Sequence, residues 1–150
     1  MRFSKIKDND IANGVGITMS LWTQGCPHHC KGCFNVETWD FNGGKEWTEE
    51  TKNKFMELIN RPYIKRVSFL GGECLADQNL DEILKLVKQI RISYPKKTIW
   101  LYTGFCWNDI MCSFAGLQAD CVVLDKKDIE AWEKRRKIIS NVDVLVDGEY

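Results

Sequence analysis

Long hydrophobic runs are missing from this 150-residue sequence. No apolar stretch reaches the roughly 18 residues that a membrane-spanning helix needs. The first ten residues, MRFSKIKDND, also lack the apolar core of a signal peptide. We therefore expect a cytoplasmic protein with no membrane partner.

An excess of charge of either sign is also absent, because 21 Lys and Arg residues balance 21 Asp and Glu residues. Without a basic face that could neutralise phosphates, the sequence predicts no nucleic-acid partner. The short basic run at 134–137 (KRRK) is interpreted as a solvated helix face. There is no internal repeat or low-complexity segment, and the length predicts a single domain over 1–150.

Cysteine is the informative residue type, because the chain has seven of them. In a reducing compartment an odd number indicates reduced thiols and metal ligands rather than a disulfide framework. Cys26, Cys30 and Cys33 fall within eight residues, directly after a predicted strand. The other four have no second cluster spacing and are predicted to be buried reduced thiols. They are Cys74, Cys106, Cys112 and Cys121.

The C-x3-C-x2-C spacing is typical of an iron–sulfur site, because such clusters are held by closely spaced thiolates. A four-iron cluster held by three thiolates leaves one iron open to a substrate. A structural zinc site normally has four ligands, so a zinc reading needs His28, His29 or the remote Cys74 as the fourth, and this remains an alternative. A two-iron plant-type ferredoxin fits less well, since its spacing is C-x4-C-x2-C.

The segment CPHHCKGCFN, followed by Thr38-Trp39, resembles the signature of radical S-adenosylmethionine (SAM) enzymes that activate glycyl-radical enzymes. Its local variant resembles the activating enzymes of the anaerobic (class III) ribonucleoside-triphosphate reductase. Two later segments, WLYTG at 100–104 and VDVLVDG at 142–148, resemble the same activases. The resemblance implies that Cys26, Cys30 and Cys33 bind a catalytic 4Fe-4S cluster.

A second motif, Gly71-Gly72-Glu73, follows the predicted strand at 66–70. Glycines at the end of a strand leave backbone groups open to a ligand, because no Cβ blocks the approach. By the resemblance, the backbone and acidic side chain of this segment hold the methionine amino group of SAM.

The resemblance also places Gly32, Cys33 and Phe34 at the cofactor. Phe34 is expected either to pack on the cluster and an adenine or to be an ordinary core residue. Where the family usually has Pro after the acidic residue, this chain has Cys74.

The alternation of strand and helix patterns predicts an α/β fold with a parallel sheet and crossover helices. A complete eight-stranded barrel needs at least about 200 residues, so we expect a partial, open βα barrel of about five parallel strands, of the radical SAM type. Residues 1–16 and 38–46 are predicted to be loops. The predicted strands are 17–23, 66–70, 98–103, 120–124 and 142–146. The predicted helices are 48–60, 79–94, 108–114 and 128–140.

The function implied by the resemblance is that of an oxidoreductase. It would reductively cleave SAM at the open iron and remove a hydrogen from a backbone glycine of the large subunit of the anaerobic (class III) ribonucleotide reductase. A low-potential electron donor such as a flavodoxin would supply the electron. Two alternatives remain: an activase of another glycyl-radical enzyme of the formate-lyase type, and a non-catalytic metal-binding or electron-transfer module.

Overall fold

A mixed six-stranded sheet organises the computed structural model, which describes residues 1–13, 15–111 and 125–148. The strand order is β3-β1-β2-β4-β5-β6, and the sheet is open in the part of the chain described. Strands β2, β4, β5 and β6 pair in parallel, whereas β1 is antiparallel to both β2 and β3. The strands are β1 Arg2–Asp10, β2 Thr18–Thr23, β3 Lys45–Glu46, β4 Arg66–Gly71, β5 Thr98–Tyr102 and β6 Val144–Val146.

In the part of the chain that the structure describes, four helices follow or connect the strands in sequence. They are α1 Glu49–Ile59, α2 Asp77–Ser93, α3 Trp107–Met111 and α4 Lys126–Ile139, with an additional 3₁₀ turn at Val36–Thr38. Helix α1 precedes β4, α2 connects β4 to β5, and α3 and α4 lie between β5 and β6. Within the described ranges, no helix combines the length and the apolar character that crossing a membrane requires.

The helices pack on one face of the sheet. Alternate residues of a strand point to opposite faces, and one face carries the fully buried side chains Met19, Leu21, Val67, Phe69, Ile99 and Leu101. Phe55 of α1, Leu86 of α2 and Ile138 of α4 belong to the same core. Burying each such side chain contributes about 1.5–3 kcal/mol, so this face provides most of the packing energy.

The opposite face of the sheet is polar and aromatic. The strand register places Ser20, Trp22, Arg66, Ser68, Trp100 and Tyr102 there. The Arg66 guanidinium stacks on the Trp100 ring at 4.1 Å, and Lys5 Nζ lies 4.1 Å from the centroid of the Trp22 ring. The two faces therefore differ in chemistry, and the helices of the described residues pack on the apolar face.

Helix α4 is attached to α2 through part of the basic run. Arg135 donates to the Leu75 carbonyl at 2.9 Å and pairs with Asp77, and Lys134 pairs with Asp81 at 2.7 Å. The interpretation of KRRK as a solvated face is therefore wrong for these two residues. Their charges face the acidic side of the neighbouring helix.

The hydrophobic patterns predicted β2, β4, β5, α1, α2 and α4 at nearly the observed positions. The prediction of a loop over residues 1–16 is wrong for β1, in which only Phe3 and Asp10 are buried and which pairs with the two-residue β3 only at Arg2 and Phe3. Among the described residues four strands are parallel, where about five were predicted. The predicted strand 120–124 lies outside the described residues.

Replacing Thr48 tests the predicted start of α1. Its Oγ1 accepts the backbone N–H of Thr51 at 3.2 Å, so Thr48→Ala should lower the free energy of unfolding by about 1 kcal/mol. Urea denaturation followed by circular dichroism measures this, and Thr48→Ser, which keeps the oxygen, is the matched control. Equal midpoints for Thr48→Ala and the unmodified chain would contradict the cap.

Candidate metal and cofactor site

The loop that carries the three clustered cysteines begins where β2 ends. Its first residues are fixed by backbone hydrogen bonds, from Gly25 N–H to the Thr38 carbonyl at 2.8 Å and from Cys26 N–H to the Trp39 carbonyl at 3.1 Å. Gly25 has φ +90°, and a Cβ there would collide with the Phe41 ring. We call residues 26–33 the cluster loop, and its position is set by the chain that follows it.

The three thiols of the cluster loop are free and half-buried. Among the described residues, no three His, Cys, Asp or Glu side chains converge as a single metal ion would need. The alternative zinc ligands are also occupied: His28 contacts Glu73, and the buried Cys74 thiol lies 3.6 Å from the Thr23 hydroxyl. Iron–sulfur clusters are bound through separate irons, so the donor set fits a cluster better than a mononuclear zinc.

Burial raises the pKa of the Cys26 thiol, and the nearby Glu73 carboxylate raises it further. Backbone hydrogen bonds from His28 and His29 act in the opposite direction. A metal-bound cysteine must be a thiolate. The surroundings of Cys26 therefore favour the protonated thiol, and a bound metal cation would favour the thiolate.

The Gly71–Glu73 segment lies against the start of the cluster loop. The parallel pairing of β2 with β4 ends at Thr23 and Gly71. It is continued by hydrogen bonds from Gly72 N–H to the Thr23 carbonyl at 2.9 Å and from Glu73 N–H to the Gly25 carbonyl at 2.8 Å. Both predicted motifs therefore meet at the carboxyl edge of the sheet.

Gly72 is required by this close approach of two backbones. A Cβ on Gly72 would lie 2.6 Å from the carbonyl oxygen of Gly25. The expectation from the sequence was that a side chain here would intrude on a ligand. The structure shows a second conflict, because a side chain at Gly72 would also collide with the backbone of Gly25, directly before the cluster loop.

The Glu73 carboxylate is buried, with 1% of the residue exposed. Its Oε1 accepts from Leu75 N–H and Thr103 Oγ1, each at 2.8 Å. Its Oε2 accepts from Gly104 N–H at 2.8 Å and from His28 Nε2 at 2.9 Å. Four donors from three segments therefore meet at one carboxylate.

Asn79 adds a further connection that the sequence did not reveal. It is 1% exposed, and its Nδ2 donates to the Gln24 carbonyl at 3.1 Å and to the Glu73 carbonyl at 2.9 Å. In the sequence it was only the first residue of a predicted helix. The position of His28 between Cys26 and Cys30 was a usable signal for its role, whereas nothing local marked Asn79.

The remaining predicted residues have varied surroundings. Phe34 is 66% exposed, so the core alternative for its ring is wrong. Gly32 has φ +84°, and no heavy atom of the described chain lies within 4 Å of where its Cβ would stand. Cys74 is buried as predicted, whereas Cys106 is exposed and contradicts the prediction. Cys112 and Cys121 lie outside the described residues.

Comparison of the sequence with known proteins shows the family to which the chain belongs. A family model described as a 4Fe-4S single cluster domain matches residues 12–150. The anaerobic ribonucleoside-triphosphate reductase-activating protein of Enterobacteria phage T4 is 31% identical over 150 residues, which cover the whole chain and 81% of the relative. The chain belongs to this activating-protein family. Its relatives of the same name in Escherichia coli K12 and Vibrio cholerae are 31% and 30% identical, over 85% and 84% of their lengths.

Membership of this family confirms the two predicted cofactors, a 4Fe-4S cluster and SAM, but not the residues that bind them. The matched domain is that of a single 4Fe-4S cluster, and activases of this family use SAM. Which side chains of this chain contact each cofactor stays a prediction.

Gly72→Ala tests the backbone contact at the site. The added Cβ must displace the Gly25 carbonyl, so we expect the free energy of unfolding to fall by about 1–3 kcal/mol and less iron to be retained after anaerobic reconstitution. Gly32→Ala is the contrast, since its Cβ meets open space and costs only the strain of its positive φ, about 1–2 kcal/mol. Full iron retention and unchanged stability in Gly72→Ala would contradict the contact.

The two described cysteines outside the cluster loop should differ in reactivity. Burial raises the pKa of the Cys74 thiol strongly, whereas Cys106 is exposed. Because the thiolate is the reactive form, iodoacetamide should modify Cys106 in the folded protein and Cys74 only after unfolding in urea. Peptide mass spectrometry measures both sites. Modification of the two at equal rates without denaturant would show that Cys74 is accessible.

Proposed function

We propose that this chain is a radical SAM oxidoreductase that generates a glycyl radical on an anaerobic ribonucleotide reductase. The observation that carries the proposal is the contact of the two motifs at the carboxyl edge of β2 and β4. Glu73 N–H donates to the Gly25 carbonyl at 2.8 Å, one residue before Cys26. Ligand sites of parallel α/β sheets lie at this edge.

Cys26, Cys30 and Cys33 would hold three irons of a 4Fe-4S cluster and leave the fourth for SAM. A cluster bound there and reduced by one electron would supply that electron for the reductive cleavage of a C–S bond of SAM. The protein's part is to bind both cofactors side by side. The half-buried thiols would hold the cluster, and the hydrogen bond between Glu73 and Gly25 would keep the SAM segment next to it.

The methionine end of SAM would bind along the backbone of Gly71, Gly72 and Glu73, because the Glu73 carboxylate already accepts four hydrogen bonds within the protein. The N–H groups of Gly72 and Glu73 are already donated to carbonyls of the β2 side. What this turn offers a ligand is therefore the carbonyl oxygens of its glycines, which match an amino group as donor. Gly32, Cys33 and the exposed ring of Phe34 would flank the nucleoside end.

The open sheet supports a partial βα barrel of the radical SAM type, acting as one domain over residues 1–150. In a βα barrel the helices form an outer layer and the opposite sheet face is enclosed. Here the helices pack on the apolar face, and the face with Trp22, Arg66 and Trp100 is the inner one. A barrel that is left open admits a loop of a polypeptide, as a glycine substrate within a protein chain requires.

The partner proposal rests on the relatives, which are named as activating proteins of the anaerobic ribonucleoside-triphosphate reductase. The large subunit of that reductase would supply the glycine, whose hydrogen passes to the 5′-deoxyadenosyl radical. A low-potential electron donor such as a flavodoxin would reduce the cluster. The zero net charge gives no support to a nucleic-acid partner.

The test is electron paramagnetic resonance on a mixture of the reconstituted chain, SAM, dithionite and an anaerobic reductase. We expect about four irons per chain and a glycyl doublet on the reductase large subunit. Cys30→Ala and Cys33→Ala should abolish both, while Cys106→Ala, at an exposed cysteine outside the cluster loop, should abolish neither.

Three outcomes would contradict parts of the proposal. Stoichiometric zinc with no iron uptake would favour a structural metal site. A doublet on a formate-lyase and none on the reductase would make the chain an activase of another glycyl-radical enzyme. Iron without SAM cleavage would favour an electron-transfer module.

A further inference from the structure

The Glu73 carboxylate connects the three segments that follow β2, β4 and β5. Leu75 belongs to its own turn, Thr103 and Gly104 follow β5, and His28 belongs to the cluster loop after β2. A carboxylate has only acceptor positions, and two donors already contact each oxygen. The carboxylate is thus used within the protein and has little capacity left for a ligand.

His28 is the residue that carries this connection into the cluster loop. Its ring is held edge-on against Phe105, with centroids 4.7 Å apart, and its side chain is 15% exposed. Gly104 leaves room for the ring, because a Cβ there would lie 2.6 Å from His28 Cδ2. The ring therefore fills a built slot, and its Nε2–H is directed at the carboxylate.

We propose that Glu73 and His28 are positioning residues that lock the cluster loop to the turn of Gly71–Glu73, so that the cluster and SAM sites are held in one fixed relation. The proposal rests on the proposed function for its meaning in catalysis. The lock itself is a property of the chain, because every one of its hydrogen bonds joins two groups of the protein.

The hydrogen bond between His28 and Glu73 should also influence the reduction potential of a cluster bound in this loop. The His28 hydrogen bond offsets part of the negative charge of Glu73 beside the cluster loop. Without it, adding an electron to the cluster should become less favourable, because charge and hydrogen bonding near a cluster set its potential. A tenfold shift against reduction corresponds to about 59 mV for a one-electron couple.

The first experiment compares His28→Ala, His28→Gln and His29→Ala. His28→Gln keeps a side-chain N–H donor of similar reach. His29 is the matched control, because it is the adjacent histidine but is exposed, contacting the Pro27 carbonyl at 3.0 Å and the Trp39 ring instead of the Glu73 carboxylate. The readout on the metal-free chain is hydrogen–deuterium exchange of residues 26–33.

We expect exchange in the cluster loop to be about tenfold faster in His28→Ala and near the unmodified rate in the other two. After reconstitution, a redox titration followed by electron paramagnetic resonance should give a lower potential for His28→Ala alone. SAM affinity, measured from its effect on the cluster spectrum, should fall several-fold in the same variant.

A second pair tests the far side of the lock. Thr103→Val removes the hydroxyl that donates to Glu73 Oε1, and Thr103→Ser keeps it. Thr103→Val should accelerate exchange in the cluster loop even though residue 103 follows a different strand, and Thr103→Ser should not. A merely local role for Thr103 would leave residues 26–33 unchanged.

The outcomes separate the lock from the proposed function. If exchange and potential are the same in His28→Ala and His29→Ala, the lock is overturned. If the unmodified chain takes up no iron but His28→Ala and Thr103→Val both loosen the cluster loop, the lock stands and the proposed function fails. Faster exchange in His28→Gln equal to that in His28→Ala would show that ring packing, not the hydrogen bond, holds the loop.

Discussion

The structure depends on the parallel pairing of β2 with β4. The ladder runs from Thr18 opposite Arg66 to Thr23 opposite Gly71, and two more backbone hydrogen bonds extend it past the strand ends. Because parallel strands end at the same edge, this register brings together two loops whose contacting residues, such as His28 and Glu73, are 45 positions apart in the sequence. A shift of one residue would move every apolar side chain of β2 to the wrong face.

The contact of the two loops is made by backbone, and this explains the residue types found there. Gly72 and Gly25 approach so closely that no Cβ fits between them. The side-chain amide of Asn79 donates to backbone carbonyls of both segments, at Gln24 and Glu73. The Glu73 carboxylate also accepts a hydrogen bond from Thr103, which belongs to a third segment. The geometry of such a site is held by hydrogen bonds within the protein, and a site ordered in this way loses little conformational freedom on binding.

The division of the sheet into two faces gives the site its setting. Apolar side chains on one face pack against α1, α2 and α4, and the opposite face carries polar and aromatic side chains that are also largely buried, among them Ser20, Trp22 and Ser68. On one side the described sheet ends with the antiparallel β1 and the short β3.

The sequence by itself determined the local features: the cysteine spacing, the cap at Thr48, the amphipathic α2 and the apolar strands, since each depends on neighbouring residues. It did not reveal β1, because most of this strand is paired on one side only, buries few side chains and has a polar pattern. Only the tertiary structure decided that His28, Glu73 and Thr103 meet, and that Gly72 faces Gly25. These contacts follow from strand register and crossover, which join residues far apart in the chain and leave no local pattern to read.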